Sequence, residues 1–191
     1  MMWPVSSASS SSFPIDTMPK IILRQHQHDN GWVSSARYSP CEIYRYTLQR
    51  VWEPEKPLVS FIGLNPSTAT EVENDPTVRR CIGYALAWGY GGMRMLNAFG
   101  LRSTDPRGLK QIDDPVGPEN DRWLRDMTKD VALTVACWGV HAEWNGRHQQ
   151  ILKLMRTANR TIHCLGVTLA GYPKHPLYLK SSLQPTEFPL H

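Results

Sequence analysis

The sequence has no apolar run approaching the length that spans a bilayer, which excludes a helical membrane protein and sets the expectation of a soluble, cytoplasmic chain. It has no closely paired cysteines. Cys41, Cys81, Cys137 and Cys164 lie far apart, without the C-x-x-C spacing common in metal sites. The expectation is free, mostly buried thiols in a reducing compartment and no metal or cofactor; a site assembled from all four is the alternative. No G-x-x-x-x-G-K-[ST] phosphate loop occurs, and Gly89, Gly91 and Gly92 do not make G-x-G-x-x-G. No G-x-S-x-G elbow and no H-E-x-x-H are present either. The usual ATPase, dinucleotide, α/β-hydrolase and zinc-protease readings therefore fail. Charge of one sign is also scarce. A net charge of +4 over 191 residues is compatible with a polyanionic partner but does not call for one. Residues 1–17 are Ser-rich and lack the basic start and apolar middle of a signal peptide. A disordered leader over residues 1–30 is expected, with Met18 as an alternative start. Residues 31–191 are expected to form one α/β domain. His26 and His28 would bind a metal only with a third ligand, so they read as a solvated tail.

What the sequence does have is a buried-strand pattern ending in a tight polar turn. Leu58-Val59-Ser60-Phe61-Ile62 is apolar and partly β-branched, and it stops at Gly63-Leu64-Asn65-Pro66-Ser67. Before it, Ala36-Arg37-Tyr38 and Tyr44 to Trp52 read as an N-terminal hairpin, with Arg45 and Arg50 on exposed positions. After it, Thr77 to Trp88 reads as a helix, with Asp75 or Thr77 as cap, Pro76 in the first turn and an apolar face of Val78, Ile82, Ala85 and Leu86. Met93 to Phe99 is the next strand, so strand, helix and strand make a parallel crossover. Pro118 to Asp130 and Arg147 to Arg156 read as further helices. Val131 to Trp138 and Thr161 to Gly166 read as the third and fourth core strands. The tail after Tyr178 reads as short and Pro-rich. The predicted fold is a three-layer α/β/α domain with a central, mainly parallel four-stranded sheet and an N-terminal β-hairpin.

Parallel strands deliver their carboxyl-terminal loops to one edge, where α/β proteins place chemistry. Three such loops carry Asn65, Asn97 with Arg102, and Lys174-His175. Asn65 could orient a water or only shape its turn. Asp75 could serve as helix cap and as acid/base. Arg79 and Arg80 near a helix start do not complement its dipole, so they face a phosphate, a carboxylate or solvent. His175, beside Lys174, could donate to a developing oxyanion. His141, His148 and His163 have no comparable setting. Trp88, Trp138 and Trp144 could stack on bases but read more simply as core.

The motifs Gly63-Leu64-Asn65-Pro66-Ser67-Thr68-Ala69, Asn74-Asp75-Pro76-Thr77 with Arg79-Arg80, Trp88-Gly89-Tyr90, Arg102 to Pro106 and Pro173 to Tyr178 together resemble an uncharacterised domain family of small bacterial and phage proteins, over about residues 36–180. Gly63-Leu64-Asn65-Pro66, Met95-Leu96-Asn97-Ala98-Phe99 and His175-Pro176-Leu177 are also similar, in chain order, to the three active-site motifs of the uracil-DNA glycosylase superfamily. That second resemblance implies a DNA glycosylase without cofactor. Asn65 would orient the attacking water, Asn97 would bind a flipped base, and His175 would stabilise the base as leaving group. Gly63, Leu64, Pro66, Ser67, Phe99 and Tyr178 would complete the base pocket. Arg79, Arg80, Arg102 and Lys174 would contact phosphates of a DNA substrate approached by a monomer. Leu177-Tyr178 stands where the superfamily usually has Ser. Asp75, Arg79 and Arg80 have no superfamily counterpart, which points to a modified base, a free nucleotide or a different step. An inactive nucleic-acid-binding module is the remaining alternative.

Overall fold

A computed structural model describes residues 20–190 of the chain. One mixed sheet of eight strands organises them. In chain order the strands are β1 (Ile22–Gln27), β2 (Val33–Tyr38), β3 (Arg45–Val51), β4 (Leu58–Gly63), β5 (Gly92–Asn97), β6 (Leu133–Ala136), β7 (Ile162–Cys164) and β8 (Thr186–Phe188). Three helices accompany them: α1 (Pro76–Ala87), α2 (Asn120–Met127) and α3 (Arg147–Thr157). Across the sheet the order is β1-β2-β3-β5-β4-β6-β7-β8. Strands β5, β4, β6 and β7 pair in parallel, and the other pairings are antiparallel.

The expected four-stranded, mainly parallel sheet is thus corrected to an eight-stranded mixed one. The β2–β3 hairpin does not stand apart, because β3 continues the sheet by pairing with β5, Leu48 opposite Met95. Both outer edges were missed. β1 falls inside the segment expected to be a disordered leader, and β8 falls in the Pro-rich tail. Neither shows a clean apolar alternation: β1 reads Ile-Leu-Arg-Gln-His-Gln and is largely exposed. An edge strand is held by its backbone ladder on one side, so a polar sequence is compatible with it and even guards against edge-to-edge association. The leader residues 1–19, with the Met18 start, lie outside the described residues.

Alternation along β4 divides the core in two, as a period of two requires. Val59 and Phe61 join α1 residues Val78, Cys81, Ile82 and Ala85 in one apolar cluster. Ile62 joins Leu124 of α2 and Ile151, Leu152 and Met155 of α3 in the other. Buried Ser60 is accommodated by donating to the Thr134 hydroxyl on β6 at 2.9 Å. Helix α1 starts where Asp75 accepts the Val78 N–H at 2.8 Å, with Pro76 in its first turn. Such a cap contributes about 1 kcal/mol. Asp75 rather than Thr77 is therefore the cap. Among the described residues no helix is long and apolar enough to cross a membrane.

Parallel register places Gly63, the last residue of β4, beside Asn97, the last of β5. A Cβ at position 63 would stand 2.5 Å from Met95 Cε and 3.0 Å from Asn97 Oδ1. Glycine here is a matter of space: it lets the two strand ends close up and leaves room for the Asn97 amide.

Candidate functional site

At this carboxyl edge of the sheet lies a cavity of about 530 Å³. The loop after β4 contributes Gly63, Leu64, Asn65 and Ser67, and the start of α1 contributes Asp75, Thr77 and Val78. β5 and its following loop supply Met95, Asn97, Ser103, Thr104 and Pro106. Trp138 to His141 follow β6, and Thr168, Lys174, His175 and Leu179 follow β7. Arg45, from β3, completes the wall. The three loops singled out in the sequence do converge.

Asn97 is 1 % exposed, and neither atom of its side-chain amide has a hydrogen-bond partner among the described residues. Its backbone, by contrast, is firmly held. Asn120 Nδ2 donates to the carbonyls of Asn97 and Ala98 at 3.0 and 3.2 Å. Buried Arg147 donates from Nε to Ala98 O at 2.6 Å and from Nη2 to Asp121 at 2.5 Å. A buried amide left without partners costs about 1–3 kcal/mol per group. The fold therefore fixes the position of an unused donor and acceptor pair facing a cavity.

Asn65 donates from Nδ2 to Ser103 O at 2.7 Å and to Pro66 O at 3.0 Å. It ties the loop after β4 to the loop after β5, so the turn-shaping reading holds for its amide nitrogen. Its Oδ1 accepts nothing from the described residues and is the half of the amide that the cavity can use. His175 Nδ1 accepts the Leu177 N–H at 3.4 Å. In the neutral ring the proton then sits on Nε2, a donor. Burial pulls the His175 pKa below the ordinary 6.5, with the Asp75 carboxylate pulling the other way, so the neutral form prevails near neutral pH. Asp75 is 8 % exposed and keeps its second oxygen free of the helix cap. Lys174 stands exposed at the rim.

Arg45 and Arg50 correct the sequence reading most sharply. Expected on exposed hairpin positions, they are 1 % and 0 % exposed. β3 is an interior strand covered on both faces, and long side chains there reach the loop after β4 rather than solvent. Arg45 donates from Nη1 to the Ala69 carbonyl. Arg50 donates to Thr70 O at 2.6 Å, Glu73 O at 3.2 Å and Asn74 Oδ1 at 3.0 Å. The Tyr38 hydroxyl donates to Glu71 at 2.9 Å. Together they strap the segment leading to Asp75 onto the antiparallel strands.

Other expected site residues lie elsewhere. Pro66 is buried, and its carbonyl accepts the Ser103 N–H at 2.8 Å, so it shapes the loop without lining the cavity. Phe99 belongs to the core beneath, 5.8 Å from the Trp144 ring. Tyr178 is 90 % exposed and does not line the cavity. Arg79 donates to the Asn74 carbonyl, Arg80 lies over the Tyr84 ring, and Arg102 lies over Tyr38 while donating to Glu42 O at 3.3 Å. None of the three lines the cavity. Trp138 does line it, although its Nε1 donates to His148 Nδ1 at 3.1 Å. Thr77, read from the sequence as a cap, instead lines the cavity, and Thr104, Thr168 and His141 were not marked as site residues, because single polar residues between the elements offer no pattern. Cys81, Cys137 and Cys164 are buried and Cys41 exposed, all as free thiols.

No curated protein and no solved structure matches the chain. A family model matches residues 45–177, a span that begins at the buried Arg45 and ends in the His175 loop. On that match the chain belongs to the family described as "Protein of unknown function (DUF1643)".

Proposed function

We propose that this domain is a glycosylase-like enzyme that hydrolyses the N-glycosidic bond of a base, modified or damaged, extruded from DNA. The fold would be the three-layer α/β/α arrangement of the uracil-DNA glycosylase superfamily, elaborated by antiparallel edges. The single observation that carries the reading is Asn97: a rigidly held, buried amide with donor and acceptor both unpaired suits the edge of a nucleobase. A cavity of about 530 Å³ has the scale of a small-molecule site and admits a nucleoside.

In this reaction a water oxygen bonds to C1′ of the sugar. The C1′–N bond breaks, and the base departs with the electron pair and gains a proton. Asn65 Oδ1 would orient the water. Asp75, its second oxygen uncommitted, would take the proton that the water sheds. His175, neutral with Nε2–H, would donate a hydrogen bond to the departing base as negative charge develops on it. The protein would act as a cytoplasmic monomer in base repair or in defence against phage with modified DNA.

A second reading, hydrolysis or transfer on a free modified nucleotide, is favoured by one observation. Arg79 and Arg80, expected as phosphate contacts, stand outside the cavity and are each engaged within the protein, so neither leads a DNA strand into it. Incubating the pure protein with genomic DNA from hosts and from phages with diverse modified bases, and with a set of modified mononucleotides, tests both. Free bases detected by mass spectrometry from DNA, and lost in Asn97→Ala and His175→Ala, support the first. Product from mononucleotides alone supports the second. Base release undiminished in both variants would sink the assignment of the site.

A further inference from the structure

Arg45 has more hydrogen-bonding capacity than the fold uses. A guanidinium carries five N–H donors. Among the described residues its Nη1 donates to the Ala69 carbonyl, and its Nε is buried without a partner. No ion pair between Arg45 and a carboxylate is present among the described residues. Asp75 lines the same cavity, but one of its oxygens caps α1 and it does not reach Arg45 as an ion pair. Burial pulls the Arg45 pKa down to about 10, which still leaves a cation at neutral pH. The Asp75 carboxylate favours that charge from a distance but does not hydrogen-bond it, and a buried charge without a direct partner is among the most costly features a fold can hold.

The position of this charge is fixed. The Arg45 N–H donates to Gly100 O at 2.9 Å, just beyond Asn97 on the neighbouring chain segment. The β3–β5 ladder, with Leu48 opposite Met95, brings Arg45 and Asn97 to the same end of the sheet. Both line the cavity. A ligand whose base edge meets Asn97 therefore shares its cavity with a buried cation that no carboxylate pairs among the described residues.

We propose that the cavity takes a ligand carrying an acidic group, a carboxylate or a phosphate, and that Arg45 receives that group while Asn97 holds the base. This deepens the base-binding reading and rests on it. The acid has two possible sources, a substituent on the base or the 5′-phosphate of a nucleotide.

Calorimetric titration of the full chain with 2′-deoxyuridine, 5-carboxy-2′-deoxyuridine and 2′-deoxyuridine 5′-monophosphate separates them. At least one acid-bearing ligand should bind about tenfold or more tightly than the neutral nucleoside, as a charge-assisted hydrogen bond predicts. Arg45→Met should remove the preference and Arg45→Lys should keep part of it, with melting curves confirming folded protein. Whichever acid gains names the source. Equal affinity for all three in the wild type, no binding of either acid, or a preference that survives in Arg45→Met overturns the proposal. The wild-type comparison stands even if Arg45→Met fails to fold. Acid preference that depends on Arg45 but is indifferent to Asn97→Ala would leave the anion receptor standing and remove the base-reading role.

Discussion

Strands β5, β4, β6 and β7 and strands β1, β2 and β3 share one sheet but serve the site differently. The parallel set presents chemistry in the way expected of α/β proteins, through the loops at its carboxyl edge, with Asn65, Asn97 and His175 on three of them. The antiparallel set brings no loop motif. It sends Arg45, Arg50 and Tyr38 into the segment between β4 and α1 and thereby holds Asp75 in place. The comparison teaches that an apparent appendage can be part of the site's floor. Loops on a parallel edge are long enough to wander, and here the neighbouring antiparallel strands fix one of them with buried guanidinium groups.

The largest effects should come from the parallel side. His175→Ala and Asn97→Ala should each lower the rate of base release by about 10²–10³-fold, the usual loss when a preorganised polar contact to the reacting group is removed. The check is single-turnover kinetics on the substrate that the panel identifies. Next should come the antiparallel side, and there the effect should fall on stability as well as rate. Arg50→Met leaves the acceptors of Thr70, Glu73 and Asn74 without their donor. A loss of about 3 kcal/mol is expected, in the range for a broken buried network. Denaturant melts measure it. An unchanged melt would mean that the segment before Asp75 is held by the parallel side alone, and the division of labour would fail.

Much of this was legible in the sequence. The apolar run of Leu58 to Ile62, the Gly63-Leu64-Asn65-Pro66 break and the capped helix after Asp75 are local signals, and each appears in the fold. Convergence of three loops followed from parallel connection alone. The buried arginines were not legible, because burial of β3 depends on β2 and β5 flanking it, a long-range fact that arginine in an alternating strand does not announce. β1 and β8 were missed for the related reason that edge pairing needs little side-chain pattern. Phe99 was placed in the site on the strength of a motif. β5 ends at Asn97, so the alternation that would keep Phe99 on the Asn97 face is lost, and Phe99 packs in the other core cluster, against Trp144.

Gly63→Ala sharpens the comparison at the point where the strand ends meet. The added Cβ would stand 2.5 Å from Met95 Cε and 3.0 Å from Asn97 Oδ1. Met95 can swing, so the stability loss should be about 1–3 kcal/mol, typical of overpacking. The rate should fall more than Arg50→Met at matched folded fraction, since the Asn97 amide is displaced directly. A smaller effect concerns pH. His175 has a folded pKa depressed below 6.5. Between that folded value and 6.5 the unfolded chain binds more protons, so stability rises with pH there. The contribution is complete above 6.5 and is lost as pH falls through the folded value. Thermal melts against pH should therefore decline less steeply below 6.5 in His175→Gln than in the wild type. The Nε2–H donor is present in both the neutral and the protonated ring, so titration of His175 should not by itself abolish the rate; a rate already halved at about pH 6.5 would mean that the donor role assigned to His175 is not what sets the rate.

The smallest effect should come from Arg79 and Arg80, the residues that by sequence looked most like phosphate contacts. Arg79 is turned back on the Asn74 carbonyl and Arg80 lies over Tyr84, both outside the cavity. Arg79 is exposed and Arg80 half-buried, and neither forms an ion pair among the described residues, so the change in stability should stay within about 1 kcal/mol. A double Arg79→Ala, Arg80→Ala variant should retain its melting temperature and its rate on a free nucleoside within about twofold. Its affinity for a DNA fragment, followed against salt, decides where the backbone of a polymer runs. A salt slope unchanged from the wild type would leave Arg102 and Lys174 as the phosphate contacts. A slope reduced by about 1.5 to 2 units would mean that both arginines neutralise phosphates. In that case the start of α1 is a DNA surface, and the strand reaches the cavity over the very segment that Arg45 and Arg50 hold down.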